Sequence, residues 1–104
     1  NQTGKVGSAW FNTPVNLSKD FRITFKVYLG NNDTGADGVC FVISQGAGTG
    51  GEGGSLGYKG ISNSIAIEFD TYKSDEYGDP ENDHMAIDVM GSVNHTYNKD
   101  NYGT

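Results

Sequence analysis

Residues 65–89, IAIEFDTYKSDEYGDPENDHMAIDV, decide how this chain folds. They open as a strand in which Ile65, Ile67 and Phe69 alternate with Ala66, Glu68 and Asp70. A period of two places the two carboxylates on one face and the apolar side chains on the other. Next-but-one residues on a strand lie roughly 6.5 to 7 Å apart, too far to share one proton closely. Asp70 can nevertheless stand between two cations, with Glu68 beside only one of them. After Tyr72 the polar run KSDEYGDPEND, carrying Gly78, Pro80 and Asn82, reads as a loop. It returns over the strand end and offers Asp79 and His84 to the same place. A second strand follows, with Met85, Ile87 and Val89 alternating against Ala86 and Asp88. Seven acidic side chains and a histidine thus lie between Glu68 and His84. Unpaired carboxylates beside an apolar strand face are costly without a cation, so a metal centre is expected rather than a solvated acidic loop. Oxygen ligands suit calcium, and an imidazole added to carboxylates suits a borderline ion such as manganese or zinc.

Working outward, residues 45–60, QGAGTGGEGGSLGYKG, hold eight of the sixteen glycines. Between two strong strands, this density suits a loop that brings main-chain N–H groups close to a ligand. Before it, GVCFVIS at residues 38–44 reads as a continuous apolar strand buried on both faces. FRITFKVYLG at residues 21–30 has the cleanest alternation in the chain, with Phe21, Ile23, Phe25, Val27 and Leu29 on one side, and is expected to be a strand with one buried face. A short strand is expected at residues 8–12, with Trp10 and Phe11 in the core, and the methionines are expected to fill core gaps. The end, NHTYNKDNYGT, reads as a polar loop. No stretch has a convincing helical period, and short strands with glycine-rich turns argue for an all-β sandwich or barrel.

The 104 residues suffice for one small domain. A net charge of −6 without any basic cluster argues against nucleic acid and anionic membranes as partners. No apolar run reaches the roughly 18 residues of a membrane span. The single cysteine, Cys40, cannot cross-link within the chain and reads as a buried thiol, not a nucleophile.

Three motifs, GADGVCFV (35–42), GGSLGY (53–58) and the stretch at 65–89, stand in the order and approximate spacing of the legume-type (L-type) lectins. The resemblance covers residues 8–93, and GSAWFNTPVNLSKDFRITFKV (7–27) is similar to the early strands of that family's bacterial surface members. It implies an antiparallel jelly-roll β-sandwich of the concanavalin type. This chain would supply about the first half of that domain across residues 1–104, the rest of the sandwich coming from further strands or a second chain. It also implies Ca2+, often with a second, Mn2+-like transition metal ion, and a sugar pocket beside the calcium. Asp70, Tyr72 through its main-chain oxygen and Asp79 match the family's calcium ligands; Glu68, Asp70, Asp79 and His84 match its transition-metal set. Asp37 matches the carboxylate that accepts from two sugar hydroxyls, and Gly54 the glycine whose N–H donates to the same ring. The Ala36–Asp37 peptide is expected to be cis, and Tyr72 and Tyr77 are candidates to stack on a sugar face. Ser74 stands where the family has an asparagine serving both calcium and sugar, a shorter group suited to one of those partners and not both.

The resemblance therefore implies a non-catalytic, calcium-dependent carbohydrate-binding module, its partner a glycan, in a secreted or cell-surface adhesin. The alternative is a structural or protein-interaction sandwich with a degenerate pocket. A glycoside hydrolase of a related sandwich would need E-x-D-x-x-E; Glu68 and Asp70 fit, but Lys73 holds the third position. Retaining hydrolysis also needs two carboxyls about 5 to 5.5 Å apart, which the alternation does not supply.

Overall fold

The computed structural model describes residues 2–95 and 102–103. Its regular structure is β apart from two short 3-10 turns, Gly53–Ser55 and Asp75–Tyr77. Strands β1 (Gly38–Ser44), β2 (Ser64–Asp70), β3 (His84–Val89) and β4 (Tyr102–Gly103) form one antiparallel sheet in chain order. Among the described residues no helix is long and apolar enough to cross a membrane.

Register turns the alternation of each strand into a face of the sheet, because directly paired residues point the same way. Val39, Phe69 and Met85 form one row, Phe41, Ile67 and Ile87 the next, and Ile43, Ile65 and Val89 the third, all on one side. On the other side Asp70 lies between Gly38 and His84, Glu68 between Cys40 and Ala86, and Ala66 between Val42 and Asp88. The carboxylate face is the covered one. Glu68 is 0% and Asp70 4% exposed, whereas Ile87 and Val89 on the apolar side are 50% and 54% exposed.

Three segments cover the carboxylate face. The glycine-rich loop folds on itself through Gly50 N–H to Gly57 O (2.7 Å) and Gly57 N–H to Gly51 O (2.9 Å), and delivers Tyr58. Tyr58 is fully buried against Ala66 and Val93, with Cys40, Val42, Ile61 and Tyr77 around them. Its hydroxyl accepts the Gly91 N–H (3.1 Å) and lies 2.9 Å from Ser64 Oγ, so the loop, β2 and the turn after β3 are joined at one side chain. The acidic loop after β2 and the segment at 91–95 close the remainder, joined by His95 N–H to Tyr77 O at 2.7 Å.

Several expectations are corrected. Residues 21–30 form no strand: their side chains alternate, but among the described residues none shares a ladder with them. Alternation supplies a face, and a strand also needs a partner for its N–H and C=O groups. The segment instead rests on the apolar face, with Phe25 stacked on Phe41 (centroids 4.9 Å apart) and edge-on to Phe69 (6.1 Å). No strand forms at 8–12 either. There Trp10 is half-buried, its indole N–H donating to Gly48 O at 2.7 Å, and Phe11 is exposed rather than in the core. β1 is not buried on both faces, since Val39 lies on the open apolar side. Met85 and Met90 are exposed for related reasons: Met85 shares that side, and Met90 sits in a turn at φ +58°. Cys40 is half-buried rather than buried, and burial together with Glu68 pushes its thiol pKa well up, away from a nucleophile's range. The polar tail, read as a loop, pairs again at β4, opposite Met85 and Ala86. Its residues 96–101 lie outside the described residues.

Gly38 joins the sheet to the site. It has φ +147°, and a Cβ there would overlap Phe69 O and lie 3.0 Å from Asp70 Cα, both backbone atoms that cannot rotate away. Gly38→Ala is expected to destabilise the fold by at least about 2 kcal/mol, read by denaturant unfolding. A loss below about 0.5 kcal/mol would show that β1 and β2 separate there at little cost.

Candidate metal centre and adjoining pocket

The β2–β3 register sets the centre. Asp70 is paired with His84, and Glu68 lies two residues back on the same face, so the three side chains converge without help from a loop. His84 Nε2 is 3.1 Å from Glu68 Oε1 and 4.0 Å from Asp79 Oδ1. Main-chain N–H groups anchor the acidic loop: Tyr72 N–H donates to Asp70 Oδ1 and Ser74 N–H to Asp79 Oδ2, each at 2.7 Å. At its rim Lys73 pairs with Asp75 (3.0 Å) and Glu81 (2.9 Å) on the surface.

All four residues of the expected transition-metal set meet here. Their donor atoms fall into two groups, Asp70–Asp79–His84 and Glu68–His84–His95, each spanning no more than 4.8 Å, with His84 common to both. Sequence reasoning missed His95 and Asp88. His95 Nε2 lies 3.0 Å from Asp88 Oδ1 and 3.3 Å from Glu68 Oε1, and its Nδ1 is 3.3 Å from Asp79 Oδ1. A signal for it was present. Gly91, Val93 and His95 are buried while Ser92 and Asn94 are exposed, so the period of two that puts Val93 inward carries His95 with it.

The electrostatics call for a cation. Glu68, Asp70, Asp79 and Asp88 are all buried, and among the described residues the buried bases beside them are His84 and His95. With both imidazoles protonated, two negative charges would remain. Burial pushes the Glu68 carboxyl up to about 9, and Asp88, Asp70 and Asp79 add to the rise. Burial likewise lifts Asp70 to about 6, against the Tyr72 N–H, which lowers it. Burial lowers the His84 pKa. For His95 burial acts downward too, but Asp88 and Asp79 outweigh it and the net direction is up. Glu68 Oε2 and Asp88 Oδ2 are buried without a hydrogen-bond partner among the described residues. An orphaned carboxylate oxygen in an overcharged cluster is a position that a divalent ion would satisfy. The residues fit: Asp70 and Asp79 offer hard oxygens suited to calcium, and Glu68 with His84 suits a transition ion.

The expected pocket residues gather at the same end of the sheet. Asp37 is half-buried just before β1, its main-chain oxygen accepting from Thr71 N–H (2.9 Å) and Thr71 Oγ1 (3.2 Å). The Ala36–Asp37 peptide is cis. Gly54 lies in the first 3-10 turn, where a Cβ would come 2.5 Å from Ser74 Oγ and 3.2 Å from Tyr77 Cε2, so only glycine lets the loops close on each other. Tyr72 is exposed, and Lys59 Nζ is 3.1 Å from the Tyr77 hydroxyl and 4.6 Å from its ring centre.

Comparison with known proteins agrees with this geometry. The family profile described as "Legume lectin beta-barrel domain" matches residues 1–104. The chain is 45% identical over 62 residues to a galactose-binding lectin of Arachis hypogaea, covering 52% of this chain and 22% of that protein. It is 40% identical over 73 residues to a surface protein of Staphylococcus aureus, covering 66% and 4%. It is 33% identical over 107 aligned residues to a lectin of Leucomphalos mildbraedii, covering 85% and 44%. The chain therefore spans less than half the length of each of these relatives. The matched profile, the all-β antiparallel architecture and the similarity to plant lectins and a bacterial surface protein together place this chain in the L-type lectin domain family, whose fold is a concanavalin-like β-sandwich.

Proposed function

We propose that this chain is part of a non-catalytic, calcium-dependent carbohydrate-binding module of a secreted or cell-surface protein. The observation that carries the reading is the register of Gly38 opposite Asp70, which ties Asp37 to the carboxylate cluster at one end of the sheet. Asp70, Asp79, the Tyr72 main-chain oxygen and Ser74 would hold calcium; Glu68, Asp70, Asp79 and His84 would hold a second, transition metal ion. The ions would act structurally, fixing the acidic loop and through it the pocket formed by Asp37, Gly54 and Tyr72. A charged acceptor at Asp37 and a main-chain donor at Gly54 can bracket two neighbouring sugar hydroxyls. Lectins among the relatives support the glycan partner, and the staphylococcal surface protein supports the location. Lys73, engaged by Asp75 and Glu81 at the surface, leaves the hydrolase pattern without its third acid. The half-open apolar face offers the surface on which the remainder of the sandwich would pack.

The test is a glycan array at millimolar calcium with the wild-type chain and Asp37→Ala. Binding is expected for the wild type, lost in chelator and reduced at least tenfold in the variant, since removing a charged hydrogen-bond acceptor costs about 1.5 to 3 kcal/mol. Ser74 favours a second reading, a scaffold with a degenerate pocket, because its hydroxyl lies against Gly54, the intended donor. Silence of the wild type across the array would support that reading and overturn the first.

A further inference from the structure

We propose that the transition-ion half of this centre is a two-histidine site, in which His95 joins Glu68 and His84 as a ligand through Nε2 and Asp79 positions the His95 ring through Nδ1. The inference rests on reading the acidic cluster as a metal centre, and it adds one ligand to it.

Placement is the first argument. His95 lies beyond β3, on a segment held over the carboxylate face by Val93, packed with Tyr58 and Ala66, and by the bond from its own N–H to Tyr77 O. The ring is 97% shielded from solvent and stands edge-on to His84, with centroids 5.8 Å apart and planes at 85°. Donor atoms of Glu68, His84 and His95 lie within 4.8 Å of one another. Two ligands of one zinc-like ion, each at about 2.0 to 2.1 Å, stand up to about 4.2 Å apart, so a small contraction brings all three into one coordination sphere.

Proton counting is the second. A neutral imidazole has one N–H and one lone pair. Both His95 nitrogens face carboxylate oxygens: Nε2 faces Asp88 at 3.0 Å and Glu68 at 3.3 Å, and Nδ1 faces Asp79 at 3.3 Å. If one nitrogen donates its proton, the other turns a lone pair toward a carboxylate. Either a second proton on the ring or a cation shared by that nitrogen and the carboxylate removes the conflict. With Nε2, the nitrogen beside Glu68, on the ion, the remaining Nδ1–H is donated to Asp79 Oδ1, the arrangement that commonly fixes a metal-bound histidine. The third sign is Glu68 Oε2, on a fully buried side chain and without a hydrogen-bond partner among the described residues, an oxygen that an ion would satisfy. A second imidazole beside Glu68 and His84 shifts the ligand set toward zinc-like and away from calcium-like ions, with tighter binding toward the end of the divalent series. The site is therefore expected to prefer Zn2+ to Mn2+.

The experiment measures Zn2+ affinity by competition with a chromophoric chelator, in millimolar calcium, for the wild type, His95→Ser and His95→Gln, with the calcium-dependent melting shift as a fold control. Both variants are expected to lose at least about tenfold in Zn2+ affinity while keeping the calcium shift. Pulsed EPR of the Cu2+-loaded wild type should resolve two coordinated imidazoles, and this does not depend on any variant folding. Zn2+ affinity unchanged in folded variants, or a single coordinated imidazole in the wild type, overturns the proposal. A wild type that binds Zn2+ and Cu2+ through one histidine leaves the metal centre intact; a wild type that binds neither calcium nor Zn2+ removes the centre and this proposal with it.

Discussion

In chelator the chain is expected to melt on the order of 10 °C or more below its temperature in saturating calcium, and Asp79→Asn to abolish the difference. Ligand at one hundred times its dissociation constant adds about 2.7 kcal/mol, and each kcal/mol moves the midpoint of a chain of this size by roughly 4 to 8 °C. Asp79 is the residue to change because it serves both halves of the centre. Its Oδ2 anchors the acidic loop through Ser74 N–H, and its Oδ1 faces both His95 and His84. Asparagine keeps the size and one oxygen for the Ser74 bond while removing the charge that an ion needs. In chelator the variant should melt at or above the wild type, since one buried charge has gone from an overcharged cluster. Scanning calorimetry with calcium or with chelator reads both effects. A wild-type melt indifferent to calcium would refute the metal centre outright. A calcium shift that survives in Asp79→Asn would move the ion away from Asp79.

How much of this was legible in the sequence depended on whether a feature carried its own partner. Ile65–Phe69 and Met85–Val89 announced themselves by alternation, and because they pair with each other the reading held: Glu68 and Asp70 share a face as the period required, and the strand register, not the loop, brings His84 to it. The loop between them was legible from Gly78 and Pro80, and the structure brings Asp79 back to that face. The cis Ala36–Asp37 peptide came from the family resemblance, since no local pattern signals it. Residues 21–30 show the limit. Their alternation was at least as clean as that of β2, but it says nothing of what they hydrogen-bond to, and Phe25 ended against Phe41 and Phe69 as part of a second layer. His95 was missed because the polar tail around it reads as loop. Its burial depends on Val93 docking against Tyr58, a contact between segments some thirty-five residues apart in the chain.

Without divalent ions, the fold should lose stability as pH rises from about 5 to about 9, opposite to what a cluster of surface carboxylates would give. The sign follows from Glu68, whose folded pKa is about 9 against an ordinary value of 4.5, and from Asp70, at about 6 against 3.8. Both are raised, so through this window the folded state binds more protons than the unfolded one, and stability falls with pH. Their contribution is complete below the unfolded values and lost as pH passes the folded ones. At about 1.4 kcal/mol per pKa unit, the loss is on the order of several kcal/mol, because Glu68 is fully buried and solvent does not screen it. His95, raised, acts in the same sense near neutrality; His84, lowered, acts against it. Saturating ions should reverse the slope, since each ligand must give up its proton to bind and loading becomes more favourable as pH rises. Melts at pH 5, 7 and 9, with and without ions, should therefore diverge as pH rises. Glu68→Gln isolates the cause: it should flatten most of the ion-free slope, raise the ion-free melting temperature at pH 9, and weaken transition-ion binding. An ion-free midpoint that climbs between pH 5 and 9 would mean that Glu68 is already ionised in the fold.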